Sequence, residues 1–260
     1  MGAKWMIWIT ELTSQKWIAR LMGKFSHSAI SRYLIPYFAK SYGIPIHEAE
    51  KEIHDYPTLN SFFTRKLKPG MRPIHQEPTG LISPVDSLIT FMGPIQSGTI
   101  LNVKGQDYSL DQLLNYSPRA EAYKHGYAFV LYLSPTDYHR IHAPVTGKKL
   151  ESEHIKGKVY PVHDFAMRNM KTVLSRNERL ITYISHEHGE VALVKVGAMN
   201  VSSIVYSDDT ATKWQQGDDL AYFEFGSTVV LITKNNTFEP LDKLLLGQKV
   251  RMGDLLGRFK

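Results

Sequence analysis

The 260-residue sequence contains no cysteine. This absence excludes disulfide bonds, thiolate metal sites and cysteine nucleophiles, and it fits a reducing compartment. Long hydrophobic runs are missing as well, because no apolar stretch approaches the ~20 residues that cross a bilayer. With 43% hydrophobic residues the chain is nevertheless able to bury a sizeable core. We therefore expect a soluble or peripherally membrane-bound protein.

Acidic side chains are scarce at the N-terminal end. The whole chain carries a net charge of +6, and residues 1–40 hold six basic side chains against Glu11 alone, a formal charge of +5. The same segment contains Trp5, Trp8 and Trp17. Basic residues favour an anionic partner, and indole rings settle at membrane interfaces. The segment predicts either a surface that lies on an anionic membrane or helices whose apolar faces pack on the rest of the protein. Nucleic acid is the least favoured partner, because no groove-reading or base-stacking motif is present.

Helical periodicity is confined to the first part of the chain. Apolar residues at helical spacing in residues 18–38 predict two amphipathic helices, and further helices are expected over 45–55 and 58–67. Gly43 is expected to end the second helix, in which Pro36 is a candidate kink.

Strand-like runs rich in Val, Ile, Tyr and Phe replace this pattern after about residue 70. They cover 81–90, 127–133, 180–185, 191–196, 203–206, 220–225 and 229–233. The sequence therefore predicts an α+β protein, with N-terminal amphipathic helices in a membrane-associating lobe over 1–70 and a mainly antiparallel or mixed β body over 71–260.

Two histidines stand three residues apart in the β part. His139 and His142 belong to a segment crowded with Pro135, Pro144 and Gly147, so a regular helix is disfavoured there. No Glu or Cys partner stands at metal-site spacing, and no metal is expected. An imidazole whose pKa lies near neutrality is better used as a general base.

A serine and an aspartate complete a potential catalytic set. Ser227 follows Gly226 between two apolar strand-like runs, where a tight turn or bulge is the ordinary interpretation. Asp86 follows Ser-Pro-Val and is either a turn residue or a carboxylate that orients a histidine. Asp, His and Ser together form a nucleophile–base–orienter set. No Gly-x-Ser-x-Gly elbow is present, which disfavours an α/β-hydrolase.

Several sequence blocks, in order, resemble the phosphatidylserine decarboxylases, particularly the short bacterial form. They are FFTRKLKPGMRP (62–73), SPVD (83–86), YLSPTDYHRIHAP (132–144), NER (177–179), VGAMNV (196–201) and GDDLAYFEFGSTV (217–229). The histidine block and the Gly-Ser-Thr block together are specific to this family. Two departures stand out: Ser87 and Ser202 replace residues that are usually glycine in the family.

The resemblance implies a self-processing enzyme. The chain would cut itself between Gly226 and Ser227, leaving a β chain (1–226) and an α chain (227–260) that remain a heterodimer. Ser227 would become a pyruvoyl group, the only cofactor implied, and the ketone of this group forms a Schiff base with the amine of serine.

Site roles follow from the same resemblance. His142 would take the proton of Ser227 with support from Asp86, whereas His139 would protonate the product carbon and Tyr132 would help to shape the substrate pocket. The substrate would be phosphatidylserine in an anionic membrane, and the product phosphatidylethanolamine. The implied location is peripheral, on the cytoplasmic face of the cell membrane.

Two other functions remain open on the residues alone. A protease or esterase would use Asp86, His142 and Ser227 without cutting the chain. A non-enzymatic lipid-binding module would not need Ser227. Formation of a homo-oligomer is left open.

Overall fold

The computed structural model describes residues 16–103, 106–160, 162, 172–198, 204–224 and 227–260. Gly226, one side of the expected cleavage site, lies outside these residues, as do Trp5, Trp8, Glu11 and Ser202.

Helices dominate the described part of the chain before residue 64. The α-helices among the described residues are α1 (Lys16–Ser26), α2 (Ile35–Tyr42), α3 (Leu59–Phe63), α4 (Leu110–Leu113) and α5 (Val173–Arg176). Segments of 3₁₀-helix cover Ala29–Leu34, Ile46–Glu48, Ile53–Asp55 and Pro118–Tyr123. A separate hydrophobic cluster holds α2 and α3 together, formed by Ile35, Ala39, Ile44, Tyr56, Leu59 and Phe62.

The predicted end of the second helix is confirmed. Gly43 adopts φ +62° as the C-cap of α2, a left-handed conformation that glycine adopts without strain. Pro36 lies in the first turn of α2, where its missing N–H leaves no hydrogen bond unmade. The 3₁₀-helix Ala29–Leu34 ends immediately before α2, which begins at Ile35, one residue before Pro36.

The prediction of a third helix over 45–55 is wrong. Two 3₁₀ turns occupy this segment, and between them Ala49 is extended and forms a β-bridge with Leu67. The fourth helix exists but is shorter than predicted. Thr58 starts it through a capping box with Ser61.

Strands are the main regular structure of the remaining described chain. They are β1 (Gly80–Ile82), β2 (Ser87–Pro94), β3 (Thr99–Val103), β4 (Gln106–Ser109), β5 (Tyr127–Leu133), β6 (Arg140–His142), β7 (Gly147–Ile155), β8 (Arg179–His186), β9 (Gly189–Gly197), β10 (Ile204–Tyr206), β11 (Lys213–Trp214), β12 (Asp219–Phe223), β13 (Ser227–Thr233), β14 (Phe238–Pro240), β15 (Lys249–Val250) and β16 (Leu255–Phe259). The predicted run 81–90 is divided between β1 and β2 by a turn that contains Asp86.

An eight-stranded sheet in the order β11-β7-β8-β9-β13-β5-β2-β15 forms the body. Every pair of neighbouring strands in it is antiparallel. Smaller sheets follow the orders β1-β16-β14, β10-β12-β6 and β3-β4. The predicted α+β class with a mainly antiparallel body is confirmed.

Strand β13 occupies the middle of the large sheet and positions the site. It pairs with β5 on one side and β9 on the other, and all seven of its residues are buried. Ser227 is its first residue. The serine is therefore fixed by the best-buried strand of the sheet.

Lys195 is an unusual member of this sheet, because its side chain on β9 is fully buried. Its Nζ donates a hydrogen bond to Thr182 Oγ1 and lies 5.3 Å from the centre of the Tyr206 ring. No ion pair among the described residues includes it. Burial, followed by the charge of Lys149, lowers the pKa of Lys195 well below the ordinary lysine value. The folded protein thus favours the neutral amine.

We predict that Lys195→Met increases stability at neutral pH and flattens its pH dependence. Between the lowered pKa of the folded state and the ~10.4 of an exposed lysine, the unfolded chain binds a proton that the folded chain does not. Wild-type stability should therefore rise with pH across this interval, and the variant should lack this contribution. Urea unfolding at pH 7 and pH 10 measures both effects. Lys148→Met, at an exposed lysine of β7, is the control, and equal pH dependence in all three proteins would contradict the prediction.

Candidate active site

Asp86 lies in the turn between β1 and β2, where Arg72 holds its carboxylate. Arg72 Nε donates to both carboxylate oxygens, at 2.8 and 3.0 Å, and Nη2 donates to Oδ2. The backbone N–H of Met252 donates to Oδ1 at 2.9 Å. Asp86 forms no hydrogen bond with His142 among the described residues. Its charge is instead paired directly with a guanidinium.

The same guanidinium connects this turn to the N-terminal helices. Arg72 Nη2 also donates to Glu48 Oε2 at 2.8 Å, and all three charged side chains are about nine-tenths buried. Burial alone would raise the pKa of Glu48, but the hydrogen bond and charge of Arg72 keep it below the usual value. Burial alone would lower the pKa of Arg72, but the hydrogen bonds and charges of the two carboxylates raise it above the usual value.

His142 is the last residue of β6, and backbone pairing brings it beside the turn that carries Asp86. Its N–H donates to the carbonyl of Pro84 at 2.8 Å. In the ring, Nδ1 lies 2.7 Å from the carbonyl oxygen of Gly217, and Nε2 lies 3.1 Å from the Tyr138 hydroxyl. Burial lowers the pKa of His142, while the charge of Asp86 is a smaller influence that raises it. The two residues interact through charge without a direct bond.

Gly217 is required where it accepts the hydrogen bond of His142. Its φ is +89°, and a Cβ at this position would lie 2.7 Å from the Ile74 side chain. Any other residue would thus be strained by its own backbone and would displace a neighbour. This accounts for the glycine that begins the 217–229 block.

His139 is fully buried, with the centre of its ring 4.0 Å from that of Phe63 on α3. Nδ1 is 2.8 Å from the Asp137 carbonyl oxygen, which can only accept, so Nδ1 carries the proton. Nε2 is buried and has no hydrogen-bond partner among the described residues. Burial lowers the pKa of His139 to about 3. The ring is neutral and offers an unused lone pair.

Ser227 begins β13 opposite Leu133 on β5 and Gly197 on β9. Its Oγ is buried and, like His139 Nε2, has no hydrogen-bond partner among the described residues. The neighbouring pair is Thr228 and Tyr132. Because successive side chains of a strand point to opposite faces, Tyr132 lies on the other face of the sheet from Ser227.

The structure brings the expected site residues to one end of the sheet. Leu88, which follows Asp86 and Ser87, lies opposite Tyr132, and the backbone N–H of Phe223 donates to the carbonyl of His139 at 3.1 Å. However, Asp86, His142 and Ser227 form no hydrogen-bonded triad within the described residues.

The N-terminal helices cover this end of the sheet. Arg140 Nε donates to the carbonyl of Thr64 at 2.9 Å, and Asn60 Nδ2 donates to Glu224 Oε1 at 3.1 Å. Together with the contact between Phe63 and His139, these bonds fix α3 against the site and help to exclude water.

Arg72, Tyr138 and Ser87 lie at this site, but the sequence motifs assigned them no role. Arg72 belongs to the 62–73 block and Tyr138 to the histidine block, so their presence in matched blocks was the only available signal. Ser87 was noted only as a departure from glycine. Its Oγ is also buried without a hydrogen-bond partner among the described residues.

A family model for phosphatidylserine decarboxylase matches residues 59–258 of the chain. The chain belongs to the phosphatidylserine decarboxylase family. Similar relatives occur in Bacillus thuringiensis (strain Al Hakam) and Bacillus cereus (strain 03BB102), each named a phosphatidylserine decarboxylase proenzyme. Each is 40% identical over 246 residues, which cover 94% of this chain and 93% of the relative. The matched region contains every residue of the candidate site described above except Glu48.

We predict that Arg72→Met lowers the free energy of unfolding by about 3–5 kcal/mol, because the two carboxylates remain buried without their cation. Arg258→Met is the matched control. Arg258 pairs with Glu77 in a half-exposed position, so its loss should cost less than about 1 kcal/mol. Urea unfolding of the three proteins tests the comparison, and equal losses in the two variants would contradict a special role for Arg72.

Proposed function

We propose that this protein is a phosphatidylserine decarboxylase made as a proenzyme, which cuts itself between Gly226 and Ser227 and converts Ser227 into a pyruvoyl group. Given membership of the family, the main support for this proposal is the environment of Ser227. The Ser227 hydroxyl is buried and unpartnered among the described residues, at the end of the sheet where His139 holds an unused lone pair. A structural serine would be expected to satisfy its hydroxyl.

Self-cleavage needs no reactant besides the chain and water. Nε2 of His142 accepts the proton of Ser227, because Nδ1 already carries one, and the charge of Asp86 stabilises the resulting imidazolium. Ser227 Oγ attacks the carbonyl carbon of Gly226, and the acyl group moves from nitrogen to oxygen to give an ester. β-Elimination then removes the Cα proton of Ser227 and breaks its Cβ–Oγ bond, which releases Gly226 as a free carboxylate. Water hydrolyses the dehydroalanine left behind to ammonia and a pyruvoyl group.

The mature site must bind a serine headgroup and move one proton. The pyruvoyl carbonyl supplies an electron sink for the pair that is released as CO₂ leaves. His139 Nε2 can take a proton from the substrate ammonium and return it to the α-carbon after decarboxylation. Burial under Phe63 keeps water from competing for this proton. Tyr132, whose side chain lies on the face of the sheet opposite to Ser227, is proposed to contribute only to the shape of the pocket.

The two fragments are expected to remain a heterodimer after cleavage. Strand β13, which begins the 227–260 fragment, is hydrogen-bonded on both sides to strands of the 1–226 fragment. The bond from Met252 N–H to Asp86 joins the fragments at a second place. Cutting one peptide bond removes none of these contacts.

We predict that the purified protein consists of fragments 1–226 and 227–260, the smaller one blocked at its N-terminus. Intact mass measurement checks this directly, and Ser227→Ala should remain a single chain. A single uncut chain with full decarboxylase activity would contradict the proposal. An uncut chain with hydrolase activity would favour a protease or esterase.

We predict that the two histidines separate by function. Loss of a general base slows a reaction by ~10²–10⁴-fold, so His142→Ala should abolish maturation on a laboratory timescale, and Asp86→Ala should impair it. His139→Ala should mature but decarboxylate poorly. His154→Ala, an exposed histidine on β7, is the control. Denaturing gels and CO₂ release report the two steps, and blocked cleavage in His139→Ala but not in His142→Ala would reverse the assignments.

A peripheral position on the cytoplasmic face of the cell membrane is part of the proposal, with residues 1–70 as the membrane-associating lobe. The described helices expose an unusual number of large apolar side chains: Leu21, Met22, Phe25, Ile30, Tyr33, Leu34, Tyr37 and Tyr42. Lys24, Arg32 and Lys40 are exposed among them. Within the described residues, no helix has the length and apolar character needed to cross a bilayer. Apolar side chains mixed with basic ones suit an anionic bilayer surface.

We predict that this surface binds vesicles through one salt-sensitive and one salt-resistant contribution. Each basic residue near an anionic surface contributes ~1 kcal/mol, and salt weakens this attraction. Arg32→Glu with Lys40→Glu should reduce binding at low salt, whereas Tyr33→Ser with Tyr37→Ser should reduce binding at all salt concentrations. Tyr116→Ser, an equally exposed tyrosine of the β body, is the control. Co-sedimentation that ignores lipid charge, salt and both double substitutions would exclude these helices as the membrane contact.

A further inference from the structure

Both ring nitrogens of His142 have partners, and neither partner is Ser227. Nδ1 donates its proton to the Gly217 carbonyl at 2.7 Å, since a carbonyl can only accept. Burial lowers the pKa of His142, so the ring is neutral and Nε2 holds a lone pair. The Tyr138 hydroxyl, 3.1 Å away, therefore donates to Nε2.

Tyr138 is firmly placed to hold this bond. Its side chain is 5% exposed, and its ring lies 5.6 Å from the His142 ring at an angle of 36°. Burial raises the pKa of Tyr138, so the phenol keeps its proton. A protonated hydroxyl thus faces the lone pair that self-cleavage requires.

We propose that Tyr138 is a positioning residue that restrains self-cleavage, because its hydroxyl competes with Ser227 for the lone pair of His142 Nε2. The inference rests on the proposed function, in which His142 accepts the proton of Ser227. Before it can do so, the hydrogen bond from Tyr138 must be broken and replaced by one from Ser227.

The hydrogen bond from His142 Nδ1 determines how loss of the Tyr138 hydroxyl should change the cleavage rate. The Gly217 carbonyl fixes the proton on Nδ1 whether or not Tyr138 is bound. Removing the Tyr138 hydroxyl therefore leaves the tautomer correct and makes the lone pair available. This role differs from that of Asp86, whose negative charge favours the protonated ring.

The test is the rate of self-cleavage in Tyr138→Phe, followed on denaturing gels after cell-free synthesis of the full chain. We expect cleavage to be about fivefold faster, the equivalent of the ~1 kcal/mol net value of one hydrogen bond. Tyr127→Phe, at the far end of β5, should cleave at the wild-type rate. An equal or slower rate in Tyr138→Phe, with an unchanged melting temperature, would overturn the inference.

A graded substitution separates competition for the lone pair from a merely structural role. Fluorinated tyrosine at position 138 is a stronger hydrogen-bond donor of nearly the same shape, and it should slow cleavage below the wild-type rate. This comparison also decides the matter if Tyr138→Phe folds poorly. Cleavage rates that do not follow donor strength would refute competition. Absence of cleavage in the wild-type chain would refute the proposed function itself, and this inference with it.

Discussion

The antiparallel pairing of β13 between β5 and β9 is the constraint on which the site depends. This strand is buried along its whole length, and Ser227 is the first residue that it fixes. In the proposed self-cleavage, a bond cut immediately before β13 would leave the new N-terminus held by two neighbouring strands. The proposed reactive group would thereby be positioned by the body of the sheet, as preorganised chemistry requires.

Burial at this end of the sheet controls the charges of the site. It keeps both imidazoles neutral, lowering the pKa of His139 to about 3 and that of His142 below its ordinary value. The carboxylate of Asp86 is stabilised in the same buried environment because Arg72 and the Met252 N–H donate hydrogen bonds to it. The histidines can therefore act as bases, while Asp86 influences His142 only through its field.

Local sequence patterns predicted helices and strands, whereas contacts between residues distant in sequence determined the failed helix and the hydrogen bonds of the site. Residues 127–133 were predicted with the bounds of β5, because a run of β-formers between turns is a local signal. The helix expected over 45–55 is absent, since Ala49 pairs with Leu67 through a contact that helical periodicity does not encode. The hydrogen-bond partner Met252 of Asp86 lies 166 residues away. The resemblance identified the candidate residues, yet it did not indicate that Arg72 binds Asp86 or that Tyr138 binds His142.

The proposed function requires that Ser227 becomes a carbonyl that captures the amine of phosphatidylserine. Reductive trapping detects this bond: the protein is incubated with phosphatidylserine vesicles and cyanoborohydride, and each fragment is weighed by mass spectrometry. We expect a covalent lipid adduct on the 227–260 fragment, at its first residue, and none in Ser227→Ala. An active enzyme that gives no adduct there, or an adduct only on fragment 1–226, would contradict it.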